Sequence, residues 1–127
     1  MTTIANLRHP LGSQLMPLTA EQQASLQREH SEELEQAEAL LFEMDAAALR
    51  FVNIPSFTDR KDVMAWYINE VSVGTMISTL SVLNHYKSRA EPDERASLVV
   101  VIPFYEHMVN AKQLEAEMQE IGRRPHL

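Results

Sequence analysis

Apolar residues recur along this chain at the three-and-four spacing of helices, and the pattern divides it into three long runs joined by short breaks. The first run carries Leu26, His30, Leu34, Ala37, Leu41, Met44, Ala48 and Phe51, a single stripe on one face of a helix. Thr19 stands at its start, and with Gln22 three residues later it offers a capping box. The helix is predicted to end by Asn53, because Ile54 precedes Pro55 and the proline ring pushes it out of the helical region.

The second run, Asp59 to Lys87, is apolar on two sides. At about 100° per residue, Met64, Ile68, Val71, Val82 and Tyr86 fall on one face, and Trp66, Val73, Ile77 and Leu80 fall nearly opposite. A helix on the surface of a monomer needs only one such face. Two faces predict a helix sandwiched between layers, around which the rest of the chain is organised. Met64, Trp66, Ile68, Val71, Val73, Ile77 and Leu80 are therefore the candidate residues of a dimer or partner interface. Ser56 or Thr58 is placed to cap this helix, and Asp59 and Asp62 suit its positive end. Gly74, among Ser72, Thr75, Ser78 and Thr79, either admits another helix at close range or is tolerated at about 1 kcal/mol.

The third run opens at Pro92, a residue suited to the first helical position, with Asp93 and Glu94 in the first turn. Leu98-Val99-Val100-Val101-Ile102 has the β-branched density of a strand. No comparable second run is present to pair with it, so a helix buried on several sides is predicted instead. Pro103 removes one backbone bond and is expected to kink that helix. Beyond it Phe104, His107, Met108, Ala111, Leu114 or Glu115, Met118 and Ile121 continue the stripe, and Gly122 is placed to end it.

The predicted fold is all-α: three long antiparallel helices, the third kinked at a proline. Residues 19–122 form the helical domain, 1–18 an extended arm broken by Pro10 and Pro17, and 123–127 a short basic tail. Helices of roughly 28 to 35 residues would be about 40 to 50 Å long. That is long for a three-helix monomer with a radius of gyration of about 14 Å, so completion of the fold as a homodimer is expected.

Composition narrows the class. A chain of 127 residues with 45% hydrophobic content supports one domain and a modest core. The absence of cysteine removes disulfides, thiolate metal sites and cysteine nucleophiles together. No window approaches the apolar span a bilayer requires, and the first residues lack a secretory signal, so a soluble cytoplasmic protein without a membrane partner is expected.

The net charge of −7 is concentrated. Between Thr19 and Asn53 eight acids face only Arg28 and Arg50, whereas the rest of the chain is nearly balanced. Such a field repels phosphate backbones, which argues against direct binding of nucleic acid, and attracts a basic protein surface. Glu29, Glu32, Glu35 and Glu43 are the candidate steering residues. The same acids also serve simply to keep a helix face solvated.

Catalytic signatures are missing. The residues three before His30, His85 and His107 are Gln27, Val82 and Phe104, so the Glu-x-x-His pairs of di-iron bundles are absent. No two histidines have the spacing of a helical zinc site, and Gly12, Gly74 and Gly122 are too isolated to cradle phosphate. No glycines of a nucleophile elbow flank a serine. Neither an enzyme nor a cofactor or metal protein is expected.

The whole-chain profile, with its proline-broken arm MTTIANLRHPLGSQLMPL, acidic first helix and central DVMAWYINEVSVGTMISTLSVLNHY, resembles the small pseudomonad quorum-sensing anti-activators of the QslA type, which bind the regulator LasR. The resemblance covers length and helical character, and no site residue is carried over from it. It implies a dimeric helical protein that binds the regulator's ligand-binding domain, blocks its self-association and keeps it off DNA. From the residues themselves the leading expectation is a non-enzymatic inhibitor of a protein partner such as a transcriptional regulator. The alternative is a structural or chaperone-like subunit whose apolar surface is used within its own oligomer.

Overall fold

The computed structural model describes residues 19–52 and 59–122, and among them the chain is all-α with no strand. Among the described residues five helices are found rather than three: α1 (Ala20–Glu43), α2 (Ala46–Leu49), α3 (Arg60–Asn69), α4 (Val73–Lys87) and α5 (Pro92–Gly122). The predicted arm 1–18, the tail 123–127 and the loop carrying Ser56 and Thr58 lie outside the described residues.

The helix count differs from expectation because two short polar side chains take over backbone amides inside the predicted runs. The capping box at the start of α1 forms as expected, with the Gln22 amide donating to Thr19 Oγ1 at 3.1 Å and the Thr19 amide to Gln22 Oε1 at 2.8 Å. At the other end Met44 adopts an extended conformation (φ −67°, ψ 133°), and Asp45 accepts the Ala48 amide at 2.9 Å to start α2. The predicted helix to Asn53 therefore stops at Glu43. Ser72 does the same to the second run, accepting the Thr75 amide at 3.1 Å, so Asp59–Lys87 is two helices and not one. Asp59 caps α3 by accepting the Lys61 amide at 2.8 Å.

The organising element is α5, not the second run. It packs against α1, α2, α3 and α4, and of these only α1 and α3 also pack substantially on each other. Contacts climb α1 as they descend α5: Glu33 meets His107 and Asn110, and His30 lies 3.6 Å from Glu115. Leu98, Val101, Phe104, Met108 and Leu114 are all at most 1% exposed. The strand-like run thus forms a buried helix, as predicted, but Val99 points outward at 59% exposure. That outward position also accommodates Pro103, since the carbonyl left without a helical donor four residues earlier is that of Val99. α5 is continuous through the proline.

The remaining helices are fastened to this axis by polar contacts at their ends. Arg60 Nη2 donates to the Met44 carbonyl at 2.9 Å, tying the start of α3 to the end of α1. The Lys112 ammonium donates to the Ile68 carbonyl, which covers an orphan acceptor in the last turn of α3. A Cβ at Gly74 would meet nothing nearer than Ser72 Oγ at 4.0 Å, so within the described residues no helix crosses closely there.

Two adjacent residues of α5 test this packing. Leu98→Ala should lose about 2 to 5 kcal/mol in urea unfolding, and Val99→Ala less than about 0.5 kcal/mol. Similar losses at both positions would show that α5 is not packed as described.

Candidate protein-binding surface

The two-faced pattern of the second run is explained by the break at Ser72. α3 turns Val63, Met64 and Tyr67 inward, α4 turns Met76 and Leu83 inward, and the helical phase is reset between them. Of the candidate interface residues, Met64 and Val71 are in the core. Trp66, Ile68, Val73 and Leu80 are half-buried against it, and Ile77 is 44% exposed. The seven residues therefore do not form one face.

What the structure does bring together is the outer half of α4. At about 100° per residue Ile77, Ser81, Gly74, His85, Ser78 and Val82 follow one another across it. All six are exposed, Val82 at 65%. Three short residues and the His85 imidazole, which meets the Arg89 guanidinium, lie between the two aliphatic residues. From Val73 to Tyr86 there is no Asp, Glu, Lys or Arg, an unusual composition for a helix with so much surface.

Beside this face, where α3 gives way to α4, lies a cleft of about 280 Å³. Tyr67 and Tyr105 line it, their buried hydroxyls hydrogen-bonded at 2.8 Å. The two rings stand edge to face at 5.8 Å, and Trp66 stands edge to face on Tyr67 at 4.9 Å. Val71 and Met76 add apolar wall, and Glu70, Ser72, Thr75 and Thr79 supply polar groups. Sequence reading found Trp66 and Val71 but missed the two tyrosines. Tyr67 sits off both marked stripes and Tyr105 between positions of the third, so neither carried a periodic signal.

The acidic helix divides by role. Glu29, Glu32, Glu35 and Glu43 are all exposed on α1. Glu35 and Glu43 border a shallow groove whose floor includes Leu40 and Pro103. Glu33, not among the candidates, is half-buried and turned to α5, where it pairs with His107 Nδ1 at 2.8 Å and accepts from Asn110 Nδ2 at 3.1 Å. His30 lies in the apolar stripe, and its buried Nε2 makes no hydrogen bond among the described residues. Its nearest carboxylate oxygen, on Glu115, is 3.6 Å away.

At the α4–α5 turn the Tyr86 hydroxyl donates to Glu94 Oε2 at 2.7 Å, and Glu94 Oε1 accepts the Glu91 amide at 3.0 Å. These bonds, the tyrosine's first, hold Glu94 below the ordinary carboxylate value. The bond to Glu94, loss of water and the neighbouring negative charge raise Tyr86. A lowered carboxylate stabilises the fold above its unfolded pKa, and that contribution is lost as pH falls through the folded value.

Among the described residues no group of three or more His, Cys, Asp or Glu is arranged to hold a metal ion. Among the same residues no helix is long and apolar enough to cross a membrane. No protein-family model, curated protein or solved structure matches the chain.

Two outcomes follow for the polar contacts. A double-mutant cycle on Tyr67→Phe and Tyr105→Phe should return a coupling of about 0.5 to 1.5 kcal/mol, whereas additive losses would show the hydroxyl pair to be inert. In Tyr86→Phe, Glu94 should titrate closer to an ordinary carboxylate by carbon-detected NMR, and an unchanged titration would assign its shift elsewhere.

Proposed function

We propose that this chain is a non-enzymatic regulatory protein that binds a protein partner and inhibits it by covering the partner's dimerisation surface. One observation carries the proposal: α4 exposes half its circumference, yet has no Asp, Glu, Lys or Arg before Lys87 and shows Ile77 and Val82 to the outside. The cores of protein interfaces are depleted of charge in the same way. Gly74, Ser78 and Ser81 between the two aliphatic residues leave room for a partner helix beside the His85 imidazole. The exposed glutamates of α1 serve the encounter, drawing a basic partner surface and raising the association rate more than the affinity.

A transcriptional regulator that works as a dimer is the kind of partner that the resemblance to quorum-sensing anti-activators implies, with LasR as the test case. A second reading is favoured by the same face. A second copy of the chain can cover it, giving a homodimer in which α4 meets α4 across a twofold axis.

Light scattering on size-exclusion fractions separates these readings. Mixed with the dimeric ligand-binding domain of LasR, the wild-type protein should convert it to a mixed complex, and the double variant Ile77→Asp, Val82→Asp should not. Both positions are exposed, so the variant should keep the wild-type melting temperature within a few degrees. A LasR domain that remains wholly dimeric contradicts the proposal for that partner. If the wild-type alone is a dimer and the variant a monomer, α4 serves self-association. Raising salt should slow association with the partner, and a salt-independent rate would return Glu29, Glu32, Glu35 and Glu43 to the role of solubilising groups.

A further inference from the structure

The cleft between α3 and α4 has a chemical character distinct from the uncharged face beside it. Among the described residues its one ionic lining group is the Glu70 carboxylate, which forms no hydrogen bond or ion pair with any of them. No lysine or arginine among the described residues lines the cleft. Trp66, on the same wall, adds an indole ring, and a ring of this kind attracts a cation over its face. The hydroxyls of Thr75 and Thr79 lie in the lining and are able to accept from an ammonium or guanidinium, while Val71 and Met76 provide apolar contact for a stem. The first-turn amides of α4 would by themselves favour an anion. Ser72 already accepts the Thr75 amide, however, and Glu70 beside it opposes negative charge. A volume of about 280 Å³ is near the lower end of small-ligand sites and matches one short side chain or one small amine.

We propose that this cleft is a recognition pocket for a single cationic head, an ammonium or guanidinium, carried on an apolar or aromatic stem. Glu70 pairs with the head, Trp66 lies against it, and Val71 and Met76 hold the stem. The proposal is independent of the α4 face. It is met equally by a free amine and by a lysine or arginine side chain of another protein.

Trp66 is the only tryptophan in the chain, so its emission reports on occupancy of this cleft directly. The intact protein is titrated with phenethylamine and, separately, with 2-phenylethanol, which keeps the stem and lacks the charge. Phenethylamine should change the Trp66 emission saturably, with the alcohol binding at least about tenfold more weakly, as expected for a hydrogen-bonded ion pair. Glu70→Gln, an exposed and conservative change, should lose the same factor, and Thr79→Leu should weaken both probes by filling the cleft. The Ile77→Asp, Val82→Asp variant should bind phenethylamine as the wild type does, which separates this pocket from the partner surface. Competition by N-acetylarginine methylamide identifies a protein side chain as the source of the cation, and its failure beside binding of phenethylamine identifies a free amine. Equal binding of amine and alcohol, or no saturable response to either cation, overturns the proposal.

Discussion

The burial of one ridge of α5 beneath the other helices is the constraint on which the rest of this structure depends. Leu98, Val101, Phe104, Tyr105, Met108 and Leu114 are nearly inaccessible, and each apolar side chain so buried contributes about 1.5 to 3 kcal/mol relative to exposure. α1 supplies Ala37 and Leu41, with Met44 just past its end, and α4 supplies Met76 and Leu83. None of the shorter helices has enough apolar surface to be stable alone, since helices below about 12 to 15 residues are marginal in water. They form because α5 gives them a surface to cover.

This arrangement determines which surfaces are left over. α4 is the outer layer on its side of the molecule and commits only Met76 and Leu83 fully to the core, so its far side faces outward. A helix in that position on a self-sufficient domain ordinarily carries charge. α1 does: its outer side is a row of glutamates. The contrast between a charged outer helix and one without Asp, Glu, Lys or Arg before its last residue, on a single small domain, is the observation behind the docking role proposed for α4. The α3–α4 break has a second consequence, because the ends of two helices that fail to join leave the cleft that holds Trp66, Tyr67 and Glu70.

Much of this was legible in the sequence, and the remainder failed for identifiable reasons. The all-α class, the helical state of Leu98–Ile102 and the Thr19–Gln22 capping box all follow from periodicity and local chemistry. The breaks at Asp45 and Ser72 did not show, because a short polar residue inside a periodic run reads equally as a solvent-facing helical position or as a cap. Which one occurs is decided by whether continuing the helix would carry its apolar face away from α5. For the same reason the two-sided run was taken for a sandwiched helix: a reset of phase and a second apolar face give the same residue list. Met64 and Val71 consequently lie in the core, whereas Ile77 remains outside. The Tyr67–Tyr105 pair joins residues 38 apart in the chain, a distance over which no local pattern carries information.

Native-state hydrogen exchange tests the central claim most directly, since it ranks each helix by the free energy needed to open it. If α5 is the axis and α4 an outer layer, the slowest amides should lie between Leu98 and Leu114 and exchange only on global unfolding, while those of α4 open at distinctly lower free energy. Amides of α4 as slow as those of α5, or slower, would contradict the account.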